Sequence, residues 1–156
     1  MQRRSLLIAT AASLAASRAF AHHGWSSFDQ SKPIYLAGQA AKVAWRNPHV
    51  EIDLELAADL KLPADLAQRV VPAQSAPVDG PQLLRAASVP KRKDRRWEIE
   101  FAPLTRMQAW AVPEIKVGDK LEVLGFTFPN EQGEAILRVE YLWLGGKTYG
   151  LRSSPA

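Results

Sequence analysis

Between residues 50 and 56 the chain reads Val-Glu-Ile-Asp-Leu-Glu-Leu, with apolar and acidic side chains alternating without a fault. A period of two suits a strand with one face buried and one wetted, because successive side chains on a pleated backbone point to opposite sides. Residues 34–45 read as another strand, with Gly38 in its interior and Val43 and Trp45 near its end. Arg46-Asn47-Pro48-His49 joins the two; Pro48 cannot donate to a sheet and Asn47 tolerates turn geometry, so a hairpin tip is expected there.

Residues 96–101 put Trp97, Ile99 and Phe101 on one face of a third strand, and residues 104–110 are a short helical candidate stopped by Pro113. A Gly118-Asp119 turn feeds a fourth strand through Val123 to Gly125, and residues 135–144 make the last long one, followed by a closing turn at 145–150 with room for a short strand. Five strands, a glycine inside the first and a helix between the third and fourth predict an all-β fold, a small five-stranded OB-like barrel whose helix plugs one end. A β-sandwich is the alternative, since period and spacing do not fix strand order.

Residues 57–94 break the rhythm: they are rich in Ala and Pro and lead into the basic run Lys91-Arg92-Lys93-Asp94-Arg95-Arg96. They are expected to be a long, mobile insertion between strands, with at most a short amphipathic helix around 64–71. The basic run is read as a solvated loop, in preference to a contact for anionic lipid, because no amphipathic helix accompanies it.

Residues 1–21 have a basic start at Arg3 and Arg4, a mildly apolar middle and the small-residue ending Ala19-Phe20-Ala21, as an export signal cut after Ala21 does. The run is short of the roughly 20 apolar residues that cross a bilayer, so no transmembrane segment is expected after cleavage. The paired arginines before Ser5-Leu6-Leu7, and Arg18 before the cut, resemble a twin-arginine signal; a general secretion signal is the alternative. The expected destination is the periplasm or beyond, and residues 22–156 are expected to form a single β domain. Cleavage removes Arg3, Arg4 and Arg18, which takes the 20 basic residues down to 17 against 16 acidic ones. A nearly neutral mature domain gives no support to nucleic-acid binding. The chain has no cysteine, which excludes disulfides, thiolate metal sites and thiol nucleophiles.

All three histidines fall at two places, His22 and His23 at the expected new terminus and His49 at the hairpin tip. An amino-terminal histidine closes a chelate ring through its free amine and Nδ1, and an imidazole from elsewhere completes a T-shaped nitrogen set suited to Cu(II). The expected metal ligands are therefore His22, His23 and His49, with copper preferred and zinc as the alternative. The competing reading leaves His22 and His23 on a frayed terminus and has His49 hydrogen-bond a neighbouring carbonyl. Residues 24–33 span about 30 Å when extended, enough for a return to the hairpin. Trp25 and Phe28 are expected to anchor this segment, and Asp29 to cap a turn. There is no Gly-x-Ser-x-Gly elbow or phosphate-cradling loop, and Glu98 and Glu100 read as the solvent face of a sheet, so no enzyme is expected. A second functional reading is an envelope interaction or small-ligand module without metal, with Trp45, Trp97 and Trp143 as candidate contacts.

Taken together, His22-His23, Phe28-Asp29, Pro33, Gly38, Val43-x-Trp45-x-Asn47-Pro48-His49, Trp97-x-Ile99-Glu100 and Gly118-Asp119 before Val123-x-Gly125 resemble a family of small exported bacterial proteins classed as a domain of unknown function. The resemblance covers nearly the whole mature chain apart from residues 57–94, and its most specific mark is Trp45-x-Asn47-Pro48-His49. It implies a signal peptide followed by one compact β domain, and carries no activity. The chain departs in its long insertion and in Ala109-Trp110, where members often have a glycine before the aromatic residue.

Overall fold

The structure is a computed structural model that describes residues 24–154. The expected signal segment 1–21, His22 and His23 lie outside the described residues. Six strands, β1 (Ile34–Ala44), β2 (Glu51–Leu56), β3 (Arg96–Glu100), β4 (Lys120–Phe126), β5 (Ile136–Leu144) and β6 (Lys147–Gly150), share one sheet in the order β3-β2-β1-β4-β5-β6. A parallel pairing of β3 with β5, Ile99 opposite Leu137, closes the first five strands into a barrel. This is the predicted five-stranded OB-like barrel, and its closure rules out the sandwich. β6 extends the sheet beyond β5 as a hairpin through Gly145 and Gly146, whose φ of 57° and 78° suit a tight turn that side-chain-bearing residues rarely adopt.

Closure depends on β1, which pairs with β4 along its first half and with β2 along its second. The backbones crowd at Gly38, where a Cβ would stand 2.0 Å from the Glu55 carbonyl oxygen. Only glycine fits this crossing. Further along, a register shift between Ala40 and Lys42 turns Val43 into the barrel. The interior holds Leu36, Ile52, Leu54, Trp97, Ile99, Val123, Leu137, Val139 and Leu142, the inward halves of the alternating patterns.

Residues 57–94 depart from the expectation of an insertion without internal structure. They carry a 3-10 turn at Leu66–Gln68, where a helix over 64–71 was the candidate, and a helix α1 (Gly80–Ala86). Asp79 caps α1 by accepting from the Gln82 N–H at 2.9 Å, with Pro81 in the first turn. Leu66 and Leu84 are buried against Tyr35, Leu124 and Tyr141 on the outside of the barrel. The insertion folds because aliphatic side chains between its prolines find apolar residues on the outward faces of β1, β4 and β5. Its basic end is also more engaged than a solvated loop. The Arg92 guanidinium lies 2.6 Å from Asp94 and donates to the Glu131 carbonyl, while Arg95 donates to the Leu56 carbonyl.

The second helix, α2 (Leu104–Ala109), follows β3 as expected and buries Met107 in the core. Trp110, preceded by Ala109 where the resembled family often has a glycine, is buried and donates from Nε1 to the Ser153 carbonyl at 2.8 Å. It thereby holds down the carboxy-terminal tail. No helix among the described residues is long and apolar enough to cross a membrane.

Candidate functional site

The amino-terminal segment is fixed by its aromatic residues. Trp25 opens a 3-10 turn (Trp25–Ser27), and Phe28 after it is buried and stacked on Phe128 with centroids 5.1 Å apart. The Trp25 ring meets the edge of Phe126 and lies beneath two guanidinium groups, that of Arg152 at 3.9 Å and that of Arg138 at 5.0 Å from its centroid. Asp29 caps the following turn as expected, accepting from the Ser31 N–H and hydroxyl. That hydroxyl chiefly holds its carboxyl below the usual range.

Arg138 and Arg152 are themselves held by buried carboxylates on the outer face of the barrel. Arg138 donates from Nη1 to Glu100 Oε1 at 2.7 Å and to the Phe101 carbonyl at 3.0 Å. Burial, more than its cationic neighbours Arg106 and Arg152, moves the Arg138 pKa down. A register shift between β4 and β5 leaves Glu140 without an opposite residue, so both Glu140 and Tyr141 face outward between the inward Val139 and Leu142. Glu140, fully buried, accepts from Arg152 Nε at 2.7 Å and from Gln74 Nε2 at 2.8 Å. The Arg152 Nη1 also reaches Gln30 Oε1 at 2.6 Å.

The hairpin tip adjoins this arrangement. The Phe101 N–H donates to the Val50 carbonyl at 2.9 Å, and the Val50 N–H to the Ala102 carbonyl at 3.2 Å, so His49 follows directly from the strand end that carries Glu100 and Phe101. The tip is tied to α2 through Asn47, whose Oδ1 accepts from the Leu104 N–H at 3.2 Å, one of the donors a helix start leaves without an internal partner. The Asn47–Pro48 peptide bond is cis. His49 is half-buried. Of the three expected ligands, the structure describes His49, next to Val50, whose backbone bonds Phe101 and Ala102. His22 and His23 lie outside the described residues. Among the described residues, no three His, Cys, Asp or Glu groups converge as metal ligands.

The outer face of β2 and β3 beside the tip is acidic. Glu51 lies opposite Glu100 and Asp53 opposite Glu98. Burial, then Glu51, Glu100 and Asp53, raises the Glu98 carboxyl pKa. The two glutamates are thus more than a solvated face, since Glu100 is nearly buried and paired with Arg138.

A second feature lies across β5, β4, β1 and the end of β2, where a cavity of about 720 Å³ opens between the barrel, the insertion and the β5–β6 turn. Trp143 forms part of its wall, with the Arg69 guanidinium 5.2 Å from its ring centroid. Arg69 bonds Glu122 and Asp65, and the Tyr35 hydroxyl donates to Glu122 at 2.7 Å. Burial acts to lower the Arg69 pKa, but the two carboxylates outweigh it and raise it. Of the other tryptophans considered as contacts, Trp97 is fully buried and Trp45 packs on the core.

Sequence reasoning missed Arg138, Glu140, Arg152 and Gln74. Their one signal is a pair of charges, Arg138 and Glu140, in an otherwise apolar strand, which period alone assigns to solvent. It missed Arg69 as well, since nothing in an Ala/Pro-rich stretch marks a residue that reaches back to β4.

The model of a family of unknown function (DUF6152) matches residues 10–61, the part of the chain that holds both histidine sites and the Trp45-x-Asn47-Pro48-His49 element. No curated protein and no solved structure matches the chain.

Proposed function

We propose that the chain is an exported envelope protein that binds a metal ion, copper in preference to zinc, at a terminus created by cleavage after Ala21. His22 is the bidentate ligand through its amine and Nδ1, His49 supplies the opposing imidazole, and His23 is auxiliary. The observation that carries this reading is the fixed position of Trp25. Its ring touches Arg138, which bonds the Phe101 carbonyl, and the Phe101 N–H bonds Val50 beside His49. Two residues, His23 and Gly24, lie between His22 and that anchor, a span of about 10 Å when extended. The carboxylates of Glu51, Asp53 and Glu98 add a negative field that favours a cation at this end of the barrel.

The test is calorimetric titration of Cu(II) into the processed protein, into a form with one extra amino-terminal residue, and into His49→Ala. The extra residue and the histidine change should each weaken binding by more than about tenfold, the least that loss of an outer-shell partner costs a metal site. Equal affinities in the first two proteins remove the amine from the site and overturn the reading.

A second reading, an envelope module for a small ligand without metal, is favoured by the cavity beside Trp143. The readings separate cleanly, because a chelator abolishes the first activity and leaves the second untouched.

A further inference from the structure

We propose that the cavity beside Trp143 binds a small amphipathic anion, a planar apolar body carrying one carboxylate or sulfonate. The inference rests on the small-ligand reading and names the ligand class of that site. At about 720 Å³ the cavity falls within the range that holds small organic ligands. The outward Ala37 and the half-buried indole of Trp143 stand on its wall, a surface that favours an apolar body.

The charges decide the rest. Glu122 already accepts from Arg69 and from the Tyr35 hydroxyl, Glu55 pairs with Arg96, and Arg69 is occupied by Asp65 and Glu122. Lys120, at the start of β4, and Lys147, at the start of β6, also line the cavity; both are exposed, and neither ammonium has an ion-pair partner among the described residues. Lys120 and Lys147 are thus the two unpaired cations at the edge of the cavity, and the charged groups around it sum to one positive charge. An apolar body against Trp143 with its acid group toward Lys120 and Lys147 satisfies both features at once. Arg69, fixed by its two carboxylates, braces the indole and takes no part in binding the acid.

The experiment uses two fluorescent probes on the full processed chain: anilinonaphthalene sulfonate, and phenylnaphthylamine, the same ring system without the sulfonate. Both should bind saturably, and Gln39→Trp, an exposed position on the cavity lining, should abolish both. The double variant Lys120→Glu/Lys147→Glu should weaken the sulfonate by about tenfold or more and leave the neutral probe unchanged. Far-UV circular dichroism checks that both variants fold. Sulfonate binding that ignores the lysines, while the neutral probe still responds to Gln39→Trp, overturns the anion assignment and leaves the ligand module standing. Absence of saturable, Gln39→Trp-sensitive binding by either probe overturns both.

Discussion

Inside the barrel, Leu54, Trp97, Ile99 and Val123 pack in an apolar cluster, whereas on the outside of β5 the equally buried Glu140 meets a guanidinium and an amide. Both regions exclude water, by different means. The interior is closed by the strands themselves, and each inward side chain is buried as soon as the barrel forms. The outer face is closed by three pieces distant in sequence, residues 25–30, the insertion at Gln74 and the tail at Arg152. A buried carboxylate tolerates such a site only while its donors stay in place, because an unpaired charge away from water is costly.

The largest expected effect tests that dependence. Arg152→Ala leaves Glu140 buried without its cation and should cost about 3–5 kcal/mol, read from urea unfolding. Adding Glu140→Leu to the same protein should restore most of the loss, since a buried pair replaced by apolar groups is often neutral. A single-variant loss below about 1 kcal/mol, the worth of an exposed pair, would erase the distinction between the two regions.

A smaller effect is expected at the hairpin tip. Asn47→Ala removes the acceptor for the Leu104 N–H and should lower stability by about 1 kcal/mol in the same assay. Its cost should stay independent of the Arg152 change, because the two share no bonding partner.

The smallest effect has the opposite sign. Glu98 binds its proton more readily folded than unfolded, so the native state holds the extra proton in the window above the ordinary value of 4.5, and stability falls as pH rises through that window. Glu98→Gln should therefore stabilise the protein modestly at neutral pH, with the gain fading as pH falls below 4.5. A variant that destabilises at pH 7 would show that Glu98 makes a favourable contact outweighing its repulsion by Glu51, Glu100 and Asp53.

The same contrast explains what could be read from the chain. The barrel was legible because Val50 to Leu56, Trp97 to Phe101 and the last long strand each pair an inward face with an outward one, and Gly38 and Gly118-Asp119 mark the crossing and the turn. Alternation says which side chains share a face; it does not say what covers that face. Arg138 and Glu140 obey the pattern of outward residues and are buried because the amino-terminal segment, the insertion and the tail lie over them. The packing of the insertion was hidden for a related reason. Its proline content hides aliphatic residues such as Leu66, Leu83 and Leu84 that pack on the barrel, and Asp79 before Gly80-Pro81 was the local helix-start signal. His49 at a strand tip followed from Pro48 and Asn47, whereas the Asn47 bond to α2 joins residues 57 positions apart and has no local signature.

The contact between Gln30 and Arg152 spans 122 positions. A nascent chain emerges from the ribosome amino-terminal end first, so Trp25 and Glu140 are both made before the arginine that covers them. Until Arg152 is free of the exit tunnel, the carboxylate of Glu140 lacks its cation and the indole of Trp25 lacks one of its two. This face of the molecule is sealed from behind, and the burial of Glu140 is finished only once Arg152 is released.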